Sequence, residues 1–210
     1  MKKSDFRHLF PKTKGAHEHL PTKTAKKAVL VLFVLFLILY IQYKPYAGTP
    51  HSPTNILEYI FVIYQFIITQ TLGIVHEGGH GLCYLLPCPQ FLMVLNGTVF
   101  QWVFPLGIGY YYKNRGNVMA FYIGLFILGI SLDHTAWYMS TAHEGPILPA
   151  DKSFLGVDAL HDFHYLFSGL GVLAYASFTA GVTKAAGVLL MVGAVIAMFF
   201  EAFSDKRVRH

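Results

Sequence analysis

The string His76-Glu77-Gly78-Gly79-His80 carries the strongest chemical signal in the sequence. On a helix, residues four apart share a face, so both imidazoles can aim at one divalent metal. Glu77 is adjacent and can reach a metal-bound water as general base. The plain alternative is two helix-packing histidines beside a chance glutamate. A carboxylate in apolar surroundings costs on the order of a few kcal/mol and usually has a partner. The metal site is therefore the better reading.

Such a site needs a third protein ligand. Two further polar clusters lie in or beside apolar stretches: Asp133-His134 and His161-Asp162-Phe163-His164. A ligating histidine normally donates its other N–H to a carboxylate or carbonyl. Asp133 or Asp162 could do that, so spacing alone does not separate ligand from orienting group. Asn96 and Gln101 are candidates to hold the unpaired backbone of a substrate. Their plain alternative is hydrogen bonding between helices. Gly78, Gly79 and Gly81 would let another backbone approach the metal face, or simply allow tight packing.

The elements that must position these groups are membrane helices. Of 210 residues, 54% are hydrophobic and 13% charged; an average soluble domain has roughly 25% charged. Mean hydropathy is +0.47. This balance excludes a disordered chain and a nucleic-acid binder. The apolar runs are 28–43, 54–86, 90–112, 118–141, 163–180 and 185–203. Each suits a bilayer core, which takes about 20 helical residues, and none alternates as a barrel strand would. The expected fold is all-α, a polytopic bundle of about six transmembrane helices. The weakest boundary is the last, at Gly181, Thr183 and Lys184. A basic arm, 1–27, precedes a single transmembrane domain, 28–204, and a short tail, 205–210. The first apolar run lacks a cleavage pattern and reads as a retained helix.

Basic residues mark the cytoplasmic side. Eight fall in the arm, which places the N-terminus in the cytoplasm. The net charge of +5 is then a topology signal with attraction to anionic lipid. Counting six crossings from there puts Cys83 and Cys88 near the inner side, where a disulfide is not expected. The same count brings His76, His80, His134, His161 and His164 to one depth, near the inner leaflet, at 1.5 Å of rise per residue. The other six of the 11 histidines, His8, His17, His19, His51, His143 and His210, are assigned to solvent.

From the HEGGH string onward the chain resembles the site-2-protease-like membrane metallopeptidases of the M50 class. It is most similar to a bacterial branch of M50-like proteins. That branch carries H-E-x-G-H, then G-[ST]-x-x-Q-x-x-x-P, then S-L-x-x-x-x-x-Y, then H-D-[WF]. Here these are His76 to His80, Gly97-Thr98-Val99-Phe100-Gln101 with Pro105, Ser131-Leu132 with Tyr138, and His161-Asp162-Phe163. The match covers roughly residues 72 to 175. The resemblance implies one zinc per chain, held by His76, His80 and either His161 or Asp162, with Glu77 catalytic. It implies hydrolysis of a membrane protein or peptide substrate in a bacterial inner membrane. The N-P-x-x-x-x-D-G-like motif of site-2 proteases is missing, and Leu132-Asp133 is only a faint echo of it. His134 and His164 lie beyond the branch pattern, as outer groups or a second metal site.

Two competing readings remain. A di-iron membrane hydroxylase or desaturase uses histidine boxes at helix ends, but normally about eight histidines, often with an adjacent pair. A catalytically silent protein could keep a metal for structure alone.

Overall fold

The computed structural model describes residues 21–43, 53–150, 152–153 and 156–204. Most of the basic arm, the tail 205–210, and His8, His17, His19, His51 and His210 lie outside the described residues. The fold is all-α, as expected. The helices are α1 (Lys23–Tyr43), α2 (Ile56–Leu85), α3 (Gln90–Asn114), α4 (Val118–Ser140), α5 (Asp162–Gly169) and α6 (Ala176–Phe203). One two-residue hairpin, β1 (Ile147–Leu148) with β2 (Ala159–Leu160), lies between α4 and α5.

Among the described residues, five of the six helices are long and apolar enough to cross a membrane. The expected break at Gly181 to Lys184 falls inside α6. Lys184 does not end the helix because its ammonium lies 3.7 Å from the Asp133 carboxylate of α4. The real break comes earlier. Gly171 takes φ +70°, a conformation that costs glycine little, and Val172 N–H returns to the Phe167 carbonyl. That leaves α5 as eight residues, too short to span. At the other end, α1 starts at Lys23, because the Thr22 hydroxyl accepts from Ala25 N–H. The helix therefore takes in Lys23, Lys26 and Lys27 from the arm.

Helix α4 runs between α3 and α6, and glycines let them approach. A Cβ on Gly124 would sit 2.6 Å from the Pro105 carbonyl oxygen, and one on Gly187 would sit 2.7 Å from the Gly129 oxygen. Small residues at such crossings are what membrane helices use to pack closely. Large apolar side chains face outward instead, among them Leu32, Leu35 and Ile38 of α1 and Leu189, Ile196 and Phe200 of α6. So broad an exposed apolar surface identifies a membrane-embedded protein.

The contacts fix which helix ends lie together. Lys26 pairs with Glu201, and Lys27 lies over the Phe203 ring. The start of α1 thus meets the end of α6. Met119, Met198 and Ala202 belong to the same core, so the start of α4 is there too, with the end of α3 three residues before it. This is the tail end of the bundle. At the opposite, site end, the start of α3, the end of α4 and the start of α6 join through Val94, Met139 and Ala176. Helices α1, α3, α4 and α6 alternate in direction between the two ends.

Helix α2 is different. Its first turn meets the last turn of α1, where Tyr43 Oη donates to Glu58 at 2.9 Å. Tyr40, one turn back, donates to Asp133 of α4 at 2.8 Å, in the site half. The end of α2 leads through 86–89 directly into the start of α3. Both ends of α2 therefore lie toward the site end, and a helix of 30 residues, about 45 Å long, must run across the bundle. The depth count in the sequence took α2 as a crossing, whereas both its ends here lie toward the site end. Cys83 and Cys88 form a disulfide there, Cα to Cα 5.3 Å, tying the last turn of α2 to the connection that leads into α3. The unpaired thiols expected from the crossing count are replaced by a staple.

Candidate metal centre

His76 and His80 project from one face of α2, as their spacing requires. Asp162 comes to them from the first turn of α5. His76 Nε2 lies 2.8 Å from Asp162 Oδ2, His80 Nε2 lies 3.2 Å from the same oxygen, and the two Nε2 atoms are 3.1 Å apart. Ligands about 2.0–2.1 Å from a tetrahedral zinc lie roughly 3.3 Å from one another. The three atoms are thus close to the spacing one ion demands. Among the described residues, these are the groups that converge as a metal site.

The surroundings fix both rings for ligation through Nε2. His76 Nδ1 faces Gln101 Oε1 at 3.2 Å, and His80 Nδ1 faces the Met93 carbonyl at 2.8 Å. Each acceptor holds the proton on Nδ1, which leaves the Nε2 lone pair for a metal. Gln101 is 1% exposed and is held by donating to Ser131 Oγ at 3.0 Å and to His134 Nδ1 at 3.4 Å. Gly97 brings the backbone of α3 against the rings. A Cβ there would sit 2.6 Å from His80 Nε2 and 2.7 Å from His76 Nε2. The donor set fits a divalent ion such as zinc: two neutral imidazoles, one carboxylate and oriented outer partners.

Helix α5 delivers Asp162 through its own packing. Phe163, Leu166 and Phe167 bury against Met139, Ala142, Ala176 and Ala180. The His161 side chain caps the helix, accepting from His164 N–H. Its ring stacks on Tyr138, centroids 4.5 Å apart, and its Nε2 meets Thr141 Oγ1 at 3.1 Å. Asp162 N–H donates to Tyr138 Oη at 3.0 Å. His161 is therefore spent on capping and stacking, and Asp162 is the neighbour that reaches His76 and His80. Burial pushes the His161 imidazole down to about 4, so it stays neutral. Burial raises the Asp162 carboxyl, but when the Nε2 atoms of His76 and His80 are protonated rather than metal-bound, their hydrogen bonds and charge outweigh it and hold the group below its ordinary value.

Glu77 is exposed and opens onto a cavity of about 310 Å³ shared with His76, His80, His134, Trp137, Tyr138 and Asp162. Leu148, Lys152 and Leu160 from the hairpin region wall its far side.

The remaining expected residues go elsewhere. Asp133 is 3% exposed and serves Tyr40 and Lys184, away from the metal ligands. His134 lines the cavity and touches Gln101, outside the converging group. His164 Nδ1 donates to the Ala142 carbonyl at 2.8 Å. Asn96 donates to the Gly79 carbonyl, which joins α3 to α2. Of the three glycines, Gly79 makes the close approach, its Cβ position 2.5 Å from the Asn96 oxygen. His143 is exposed. Sequence reasoning assigned no role to Gly97, Met93 or Ser131. The G-[ST]-x-x-Q spacing and the S-L pair were the signals for Gly97 and Ser131; a backbone carbonyl such as that of Met93 leaves no sequence mark. No family model matches the chain, and no curated protein and no solved structure matches it.

Proposed function

We propose that the protein is an intramembrane zinc metalloprotease of a bacterial inner membrane, hydrolysing a peptide bond of a membrane-associated substrate. The observation that carries this reading is the convergence of His76, His80 and Asp162 beside Glu77, at a cavity at one end of an apolar helix bundle. The resemblance of the HEGGH, G-T-x-x-Q, S-L and H-D-F elements to M50-like proteins supports it. Among the described residues a single converging group forms, which favours one metal over a di-iron centre.

Bound there, zinc would lower the pKa of a coordinated water and polarise a carbonyl. The chain supplies the rest. Gln101 and the Met93 carbonyl orient the two imidazoles. Tyr138 and the packed face of α5 hold Asp162 in place. Glu77 takes the proton of the attacking water and delivers it to the leaving amine. The cavity admits an unwound segment, since an intact helix shields its carbonyls in its own hydrogen bonds.

The test uses full-length protein in liposomes with a panel of single-span membrane peptides. Wild type is expected to release fragments. Glu77→Gln is expected to release about 10²- to 10⁴-fold less, the usual contribution of a positioned general base, with unchanged zinc content. Equal release by the two proteins contradicts the reading.

A further inference from the structure

We infer that the metal centre works on the non-cytoplasmic side of the membrane and takes peptide segments exposed on that side. The choice of substrate rests on the hydrolase reading; the sidedness does not.

Two independent observations carry it. The first is charge. The start of α1 brings Lys23, Lys26 and Lys27 to the tail end, and the end of α3 brings Lys113 and Arg115. Lys2, Lys3, Arg7, Lys12 and Lys14 precede α1 in the sequence, and Lys206, Arg207 and Arg209 follow α6. Five described basic residues are thus at the tail end, and eight more precede α1 or follow α6 in the sequence. Among the described residues the site end has Lys152, and Lys184 lies within α6 against Asp133. Lysine and arginine beside membrane spans mark the cytoplasmic face. The tail end is then cytoplasmic, and the opposite orientation would leave most of the basic residues outside. Because α2 runs across the bundle, His76, His80 and Asp162 fall at the other end.

The second observation is the Cys83–Cys88 disulfide, which is at the site end. Disulfides persist in the oxidising spaces outside the cytoplasm and are rare within it. It sits at the far end of α2 from Glu58 and one turn beyond His80, so the staple and the metal ligands share one side.

The test keeps the full chain in its native membrane. Lys152→Cys and Lys113→Cys are made separately, with the native pair left in place, and intact cells are treated with a membrane-impermeant maleimide. Lys152→Cys is expected to label in intact cells, and Lys113→Cys only after permeabilisation. The reverse pattern, or both positions labelling from one side, overturns the inference. The unsubstituted protein gives a second readout. Lysed with thiols blocked, it is expected to carry no alkylated Cys83 or Cys88, and the peptide pair to weigh about 2 Da less than the two thiols. Full alkylation of both cysteines overturns the inference. Neither readout depends on activity, so a failed Glu77→Gln comparison and a failed orientation remain distinct results.

Discussion

Three side-chain atoms decide the chemistry, and the groups behind them decide whether those atoms are ready for a metal. His76 can ligate through Nε2 because Gln101 Oε1 occupies the other side of its ring. Removing such an outer partner typically costs 10- to 100-fold in metal affinity. Gln101→Ala is therefore expected to weaken zinc binding by about 10- to 100-fold in a chelator competition. Asn96→Ala makes the contrast, because Asn96 binds the Gly79 backbone and touches neither ring. It is expected to keep zinc affinity while losing some thermal stability. Equal zinc affinity in wild type and Gln101→Ala would remove the orienting role. The i, i+4 pair was legible in the sequence because helical periodicity is local. The third ligand was open among His161, Asp162, Asp133 and His134, and the resemblance pointed to the first two. What separates them is the stacking of His161 on Tyr138, a contact between residues 23 apart in the chain that no local pattern encodes.

At the scale of elements, three pieces meet at the candidate metal site: a face of α2, the glycine-bearing turn of α3, and the first turn of α5. Gly97 sets the distance between the first two. Any side chain there collides with the Nε2 atoms of both histidines, and overpacking a tight site costs roughly 1–3 kcal/mol. Gly97→Ala is expected to lose zinc while its circular dichroism stays helical. Gly81→Ala, with open space around it, is expected to behave as wild type; loss of zinc there as well would mean that general packing, not the approach at Gly97, controls the site. The helices themselves were largely readable, since apolar runs report length. Their ends were less so. Lys184 looks like a boundary until Asp133 is seen beside it, and the turn at Gly171 looks like part of an apolar span until its φ is known. The course of α2 was not readable at all, because hydropathy records that a segment can sit in lipid and says nothing of its direction.

For the whole molecule, the composition of the chain and its histidine placement describe one object: a lipid-embedded bundle with a polar pocket at one end. The candidate ligands and the Cys83–Cys88 disulfide sit at the same end of that bundle. The central claim is that His76, His80 and Asp162 hold one zinc, and elemental analysis of the purified full-length protein tests it most directly. The expected result is about one zinc per chain in wild type, retained in His161→Ala and lost in Asp162→Ala. Two irons per chain, or full zinc in Asp162→Ala, would contradict it.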